Sequence, residues 1–361
     1  MFLGSSPHIG TPATTAKIMG HVLMALAPAA VFGVVLYGPP ALAVILVTTA
    51  ASAAGEALFR LIIRQENRNG DLSAVVTGLL LALTLPPGTP LWMAALGGIF
   101  AAVVAKEFFG GIGANVFNPA LSGRAFLLMS FPAAITAWAV PGRAWGAAEA
   151  AVDMAAGAVS GAGIDAFSGA TPLAIIKAGG GVSGAAANLF AAGLSSGETY
   201  WEMIKTLFVG NHSGTIGESS ILLILAGFFY LLVTRVIDWR APLAMTASAF
   251  ALSFALGLDP LFGILSGGLC FGAVFMATDY TTAPLTTNGK FIFGAGAGII
   301  TVLIRKWGGY PEGVTYGILI MNALTPFLNR LIQKKYGFVK PLKPAKKSAA
   351  DTASSAKGAA V

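Results

Sequence analysis

GHVLMALAPAAVFGVVLYGPPALAVILVTTAASAAGEALFRL, residues 20–61, contains two apolar runs, 20–38 and 41–61, parted only by Pro39 and Pro40. Each is close to the roughly 20 residues that an α-helix needs to cross bilayer hydrocarbon. Eight more such runs follow at 72–86, 91–109, 122–139, 219–236, 242–258, 261–277, 291–305 and 313–332, which makes ten candidate spans. The third and ninth are short and bounded by Gly or Pro, so they are expected to be broken or tilted. Composition agrees with this reading. Of 361 residues, 56% are hydrophobic and 10% charged, with a mean hydropathy of +0.77, whereas a soluble domain carries about 25% charged residues. So little charge cannot clothe so much apolar surface in water, and the partner of most of the chain is membrane lipid. The expected class is an all-α polytopic membrane protein.

The net charge of +7 does not imply nucleic acid, because the positive residues lie between apolar runs and in the tail rather than on one basic face. They read as topology signals. With the N-terminus inside, the cytoplasmic segments hold Lys17, Arg60, Arg64, Arg68, Lys106, Arg124, Arg235, Arg240, Lys290 and the tail cations from Arg330 to Lys357. The opposite side holds Arg143, Lys177, Lys205, Arg305 and Lys306. Four regions result: a five-span half at 1–139, an outer-face excursion at 140–218, a second five-span half at 219–333, and a basic cytoplasmic tail at 334–361, expected to be disordered. The start lacks a signal-peptide pattern, so both termini are expected in the cytoplasm of a multi-pass inner-membrane protein. Cys270 is the sole cysteine, and His8, His21 and His212 lack metal-ligand spacing. Zinc and iron–sulfur sites need several such ligands, so no metal site is expected in this chain.

The halves echo one another. DLSAVVTGLL (71–80) resembles DPLFGILSGGL (259–269), AKEFFGG (105–111) resembles IRKWGG (304–309), and NPAL (118–121) resembles NALTP (322–326). The offset is five spans, an odd number, so the copies would cross the membrane in opposite senses. That is the inverted-repeat plan of many transporters.

The outer excursion contains Asp165-Ala-Phe-Ser168-Gly169-Ala170-Thr171-Pro172. A Ser/Gly/Pro turn describes most such strings. The pattern D-x-x-S-G-A-T also resembles the acceptor signature of periplasmic flavinylation, in which a transferase moves the flavin mononucleotide (FMN) moiety of FAD onto threonine. That chemistry needs a reachable hydroxyl. Small Gly169 and Ala170 give access to Thr171, and Asp165 offers the transferase a charged handle.

Further strings occur in order: SSPHI (5–9), GGIGANVFNPALSGRAFLLMSFPA (110–133), GNHSGTIGESS (210–220), MATDYTTAPLTTNGK (276–290) and GGYPEGVTYGILIMNALTP (308–326). Together with Thr171 they resemble the RnfD family, the D-type membrane component of the Rnf electron-transport complex. Its close relative is the B-type component of the sodium-translocating NADH:quinone oxidoreductase. The resemblance implies a flavin-bearing component of a complex that couples ferredoxin and NAD electron transfer to sodium or proton transport. It implies FMN held covalently on Thr171, a second, noncovalent flavin such as riboflavin, other Rnf subunits as partners, and a transient flavin transferase. No complete active site is expected in this chain alone.

Polar residues near span ends fit such a role, each with a plainer alternative. Asn115, Asn118 and Arg124 are placed to contact a flavin edge, to cap helix ends, or to mark the cytoplasmic boundary. Thr278 and Asp279, with Thr281 and Thr282, are candidates for a similar site. Glu56 with Arg60, and Lys106 with Glu107, read as snorkelling groups at cytoplasmic helix ends. No carboxylate falls near the predicted middle of any span. A secondary transporter or channel without a redox role is the competing reading, and a passive scaffold is a weaker one. Thr171 separates them, since neither needs a flavin acceptor.

Overall fold

The computed structural model describes residues 14–65, 69–139, 141, 171–191, 199–310 and 312–332. These form helices and the turns between them, with no extended strand among the described residues. Helices α1 (Thr15–Tyr37) and α2 (Pro39–Ile62) realise the first two apolar runs. The Thr14 hydroxyl caps α1 by accepting from the Lys17 amide. Gly38, at φ +74°, makes the sharp join to α2, whose first turn begins with proline. Proline is tolerated there because that N–H has no partner anyway. Next come α3 (Ser73–Leu83) and α4 (Leu91–Ile99), which runs on through a π turn at Phe100–Val104 and a 3₁₀ turn at Glu107–Phe109. The half ends with α5 (Pro119–Ser130) and the short α6 (Pro132–Ile135).

Short α7 (Pro172–Ile175), a π turn at Ile176–Gly180, α8 (Gly181–Ala191) and α9 (Tyr200–Val209) come next. The later half comprises α10 (Ile221–Val233), α11 (Arg240–Ala255), α12 (Pro260–Leu265), α13 (Leu269–Phe271), which continues in a π turn at Gly272–Met276, α14 (Thr287–Trp307) and α15 (Val314–Ile332). Each of the ten apolar runs thus carries helix. Among the described residues, four helical stretches are long and apolar enough to cross a membrane unaided: Thr15–Tyr37, Pro39–Ile62, Leu91–Phe109 and Thr287–Trp307. Their outer faces expose Val31, Val35, Leu46 and Leu61. Apolar patches of that kind mark a lipid-facing surface.

The third run is short, as expected, at 11 residues. The ninth is not: α14 is a continuous helix of 21 residues capped by Thr286. Its glycines do not break it. Gly294 and Gly298 instead lie against the backbone of Ala241 and Met245 on α11, where a Cβ would collide. Small residues let membrane helices approach this closely. The eighth run is broken instead, interrupted between α12 and α13 at Ser266-Gly267-Gly268, with Gly267 at φ +66°, and the fifth is interrupted at Phe131 between α5 and α6.

The core joins both halves: Leu26, Leu81, Leu83, Leu121, Phe271 and Phe293 are all fully buried in one cluster. A second cluster sets Leu173, Ala185, Ala186 and Leu189 against Met203, Leu207 and Phe262. The end of the 140–218 stretch does not stand clear of the bundle. Residues 212–220 are buried, with the Ile216 and Gly217 amides donating to the carbonyls of Leu85 and Leu83. The Tyr37 hydroxyl donates to the His212 carbonyl at 2.9 Å. Irregular backbone is tolerated at such depth only where protein surrounds it.

Candidate functional site

Six residues singled out in the sequence, Thr281 among them, meet in one cavity. Asn115, Asn118, Thr278 and Asp279 line it together with Lys106, Ser73 and Tyr280, while Val22, Val76, Leu80, Ile112 and Phe275 supply apolar walls. Segments from both halves of the chain converge there. Asn118 is the N-cap of α5, its carboxamide oxygen accepting from the Leu121 amide at 3.2 Å, so the capping alternative holds for this residue. Its NH2 reaches the carbonyl of Met276 at 3.4 Å, which ties α5 to the π turn at Gly272–Met276. Asn115 donates to the Thr281 hydroxyl at 3.0 Å. Asp279 organises the loop after that π turn, accepting from the Thr281 amide at 3.0 Å and from the Thr281 and Thr282 hydroxyls. Thr278 donates back to the carbonyl of Val274. The result is an apolar slot with a polar rim on one side.

Lys106 supplies the cation of that rim, and it does not snorkel. Its ammonium donates to Glu56 at 2.6 Å and to the Ser73 hydroxyl at 2.6 Å. Arg60 pairs with Glu107 at 3.0 Å and lies 3.9 Å from Glu56. All four charged side chains are buried. The expectation of two snorkelling pairs is therefore corrected. Helix packing brings α2 against α4 and its continuation, and the charges neutralise one another across that interface, as buried charge requires. In the sequence Lys106 shows only as a topology mark, and the signal that exposes its role is tertiary.

Arg124 does not line the cavity and caps no helix end. It sits within α5, buried, where its guanidinium pairs with Glu218 at 3.4 Å and with Glu312. Glu218 belongs to the buried 212–220 segment and Glu312 precedes α15. Six residues separate Arg124 from Asn118, which is about 9 Å along a helix axis. Carboxylates thus enter the bundle from connections between spans, where span-by-span scanning does not look.

The Thr171 segment packs beside this second cluster. Thr171 is the N-cap of α7, its hydroxyl oxygen accepting from the Ala174 amide at 3.1 Å, and it is only 8% exposed. The expectation of a freely exposed hydroxyl is corrected: the side chain is engaged in a cap. Lys177 anchors the same segment by donating to the carbonyls of Gly308 and Tyr310 at the end of α14. Asp165, Ser168, Gly169 and Ala170 lie outside the described residues. Among the described residues no group of His, Cys, Asp and Glu is arranged to hold a metal ion.

The family model for NQR2, RnfD and RnfE matches residues 2–337 of the chain. The D subunit of the proton-translocating ferredoxin:NAD(+) oxidoreductase complex of Clostridium ljungdahlii is 40% identical over 343 residues, covering 93% of this chain and 96% of that protein. The D subunit of the Na(+)-translocating ferredoxin:NAD(+) oxidoreductase complex of Acetobacterium woodii is 38% identical, covering 95% of this chain and 98% of its own. Its counterpart in the ion-translocating oxidoreductase complex of Vibrio cholerae is 33% identical, with 91% and 96% covered. A match that runs through the cavity residues, the Thr171 segment and both halves of the bundle makes this chain a member of the NQR2, RnfD and RnfE family.

Proposed function

We propose that the chain is the flavin-bearing membrane subunit of an ion-translocating ferredoxin:NAD(+) oxidoreductase, carrying FMN on Thr171 and a second, noncovalent flavin in the Lys106 cavity. The observation that carries the flavin reading is the convergence of Asn115, Asn118, Thr278 and Asp279 on one cavity with apolar walls. A flavin ring is flat and apolar with a polar edge. The apolar side chains suit its faces, and the amides, hydroxyl and ammonium suit that edge, but at about 80 Å³ the cavity must open to admit the ring. A bound flavin supplies one- and two-electron transfer, and the protein supplies placement and electrostatic tuning. Lys106 would hold positive charge beside the ring, and Glu56 fixes the position of that charge.

Transfer onto Thr171 forms a phosphoester to its hydroxyl oxygen and breaks the pyrophosphate of FAD, releasing AMP and the hydroxyl proton. The α7 cap and the burial of Thr171 mean that the transferase acts before this turn packs or on an opened form. The remaining parts of this reading are ten spans, inverted five-helix halves, cytoplasmic termini in the inner membrane, and assembly with other Rnf subunits. Support for a repeat comes from packing. A Cβ at Gly98 on α4 would strike the backbone of Thr48 and Ser52 on α2, and one at Gly298 on α14 would strike that of Met245 and Ala249 on α11.

Coexpression with a flavin transferase, followed by denaturing gel fluorescence, tests the reading. The wild type is expected to fluoresce, Thr171→Ala to be dark, and Thr171→Ser to retain part of the signal. Denaturation of Thr171→Ala is expected to release free flavin, and Asn118→Leu to release much less. A dark wild-type band, with no flavin released, favours the transporter reading instead.

A further inference from the structure

The two halves can be put in register by the paired glycine contacts. Gly98 lies on Thr48 and Ser52, and Gly298 on Met245 and Ala249, so α2 corresponds to α11 and α4 to α14. Continuing one turn along α2 and α11 sets Glu56 opposite Ser253. Along α4 the π turn at Phe100–Val104 holds one residue more than an α turn, and α14 has no such turn. Lys106 therefore corresponds to Arg305. Both are buried cations that reach across to a broken or short helix: Lys106 to Ser73 at the start of α3, and Arg305 to the carbonyls of Gly263 and Ser266 in α12 and at its end.

The correspondence fails at the counter-ion. Lys106 has Glu56, whereas Arg305 has a serine at the matching place, and no described carboxylate pairs with it. Its Nε and the neighbouring Ser266 hydroxyl are both buried without a hydrogen-bond partner among the described residues. Glu218 and Glu312 are close by, but both engage Arg124. Lys177 adds a further cation, donating to carbonyls just beyond Arg305 on α14. Among the described residues the patch holds three cations, Arg124, Arg305 and Lys177, and two carboxylates, one negative charge short. A buried charge in that position is costly until it is paired.

The Thr171 segment passes over this patch. The point where a Cβ would stand on Gly267 lies 3.3 Å from an Arg305 terminal nitrogen and 3.4 Å from a Leu173 methyl carbon. Leu173 is two residues from Thr171. A flavin esterified to Thr171 carries a phosphodiester with a single negative charge, and two orphaned donors await an acceptor beside it. We propose that Arg305, assisted by the Ser266 hydroxyl, is the seat of that phosphodiester, so that the second half completes its ion pair only when the flavin is attached. This rests on Thr171 being the acceptor.

Coupling between Arg305 and the flavin is measurable without electron transfer. Wild type and Arg305→Gln would be purified from cells with and without the transferase, covalent flavin would be quantified on denaturing gels, and melting temperatures compared. Attachment is expected to raise the wild-type midpoint by several degrees, to raise Arg305→Gln by much less, and to regain most of the increment in Arg305→Lys. Equal increments in wild type and Arg305→Gln would overturn the proposal and point to a carboxylate elsewhere as the counter-ion. Should Arg305→Gln not fold, Ser266→Ala, which removes one donor and keeps the cation, is expected to show a reduced increment, and an unchanged one overturns the proposal equally. A wild type without covalent flavin would sink the Thr171 reading itself, a separate result visible in the gel.

Discussion

Glu56, Arg60, Lys106 and Glu107 show what a buried charge demands of its neighbours. Removing one partner of a buried pair strands the other, at a cost of about 3–5 kcal/mol. Glu56→Ala strands Lys106 and should lower the stability of the detergent-solubilised protein by that order. The double variant Glu56→Gln, Lys106→Met removes the pair together and leaves Arg60 with Glu107, so its loss should be clearly smaller. Thermal or denaturant unfolding of the single and double variants checks this. Equal losses would mean that the pair is not energetically coupled. Of these residues the sequence makes only the i,i+4 relation of Glu56 and Arg60 visible. The pairing of Glu56 with Lys106 spans fifty positions and is created by α2 meeting α4. Arg124 is hidden in the sequence for the same reason: its carboxylate partners lie in connections, one of them inside a buried irregular segment.

Glycine governs how the helices pair. Gly294 and Gly298 bring α14 onto the backbone of α11, and Gly78 and Gly98 bring α3 and α4 onto α2. Gly298→Ala would force a methyl against Met245 and Ser248 and is expected to cost about 1–3 kcal/mol, the usual range for overpacking. Gly20→Ala is the control. That site, within α1, has nothing within 4 Å, and alanine is favoured over glycine in a helix interior by roughly 0.5–1 kcal/mol. One substitution should lower the melting temperature and the other hold or raise it. A Gly298→Ala protein as stable as wild type would contradict the close α11–α14 approach. Helix forms within each of the ten apolar runs that hydropathy marks, because apolar length is a local property. Hydropathy misjudged which were continuous: the run 291–305 is short and glycine-bounded in isolation, yet it lies inside an unbroken helix whose glycines pack closely against α11.

Seen across the bundle, the two halves carry related buried cations, Lys106 facing an apolar-walled cavity and Arg305 facing the Thr171 segment. Inverted halves would set these cations toward opposite membrane faces, as the proposal of one flavin near each requires. The family strings and the acceptor pattern are legible without structure because they are short, ordered residue patterns. The burial of Thr171 is not, because it depends on distant residues that pack around the cap. Covalent attachment of flavin to Thr171 can be read from a single peptide. Tryptic cleavage after Arg143 and Lys177 releases residues 144–177 as one peptide. From cells that express the transferase, mass spectrometry is expected to find this peptide heavier by FMN less water, with fragmentation placing the addition on Thr171. The same peptide recovered unmodified from those cells would contradict the account.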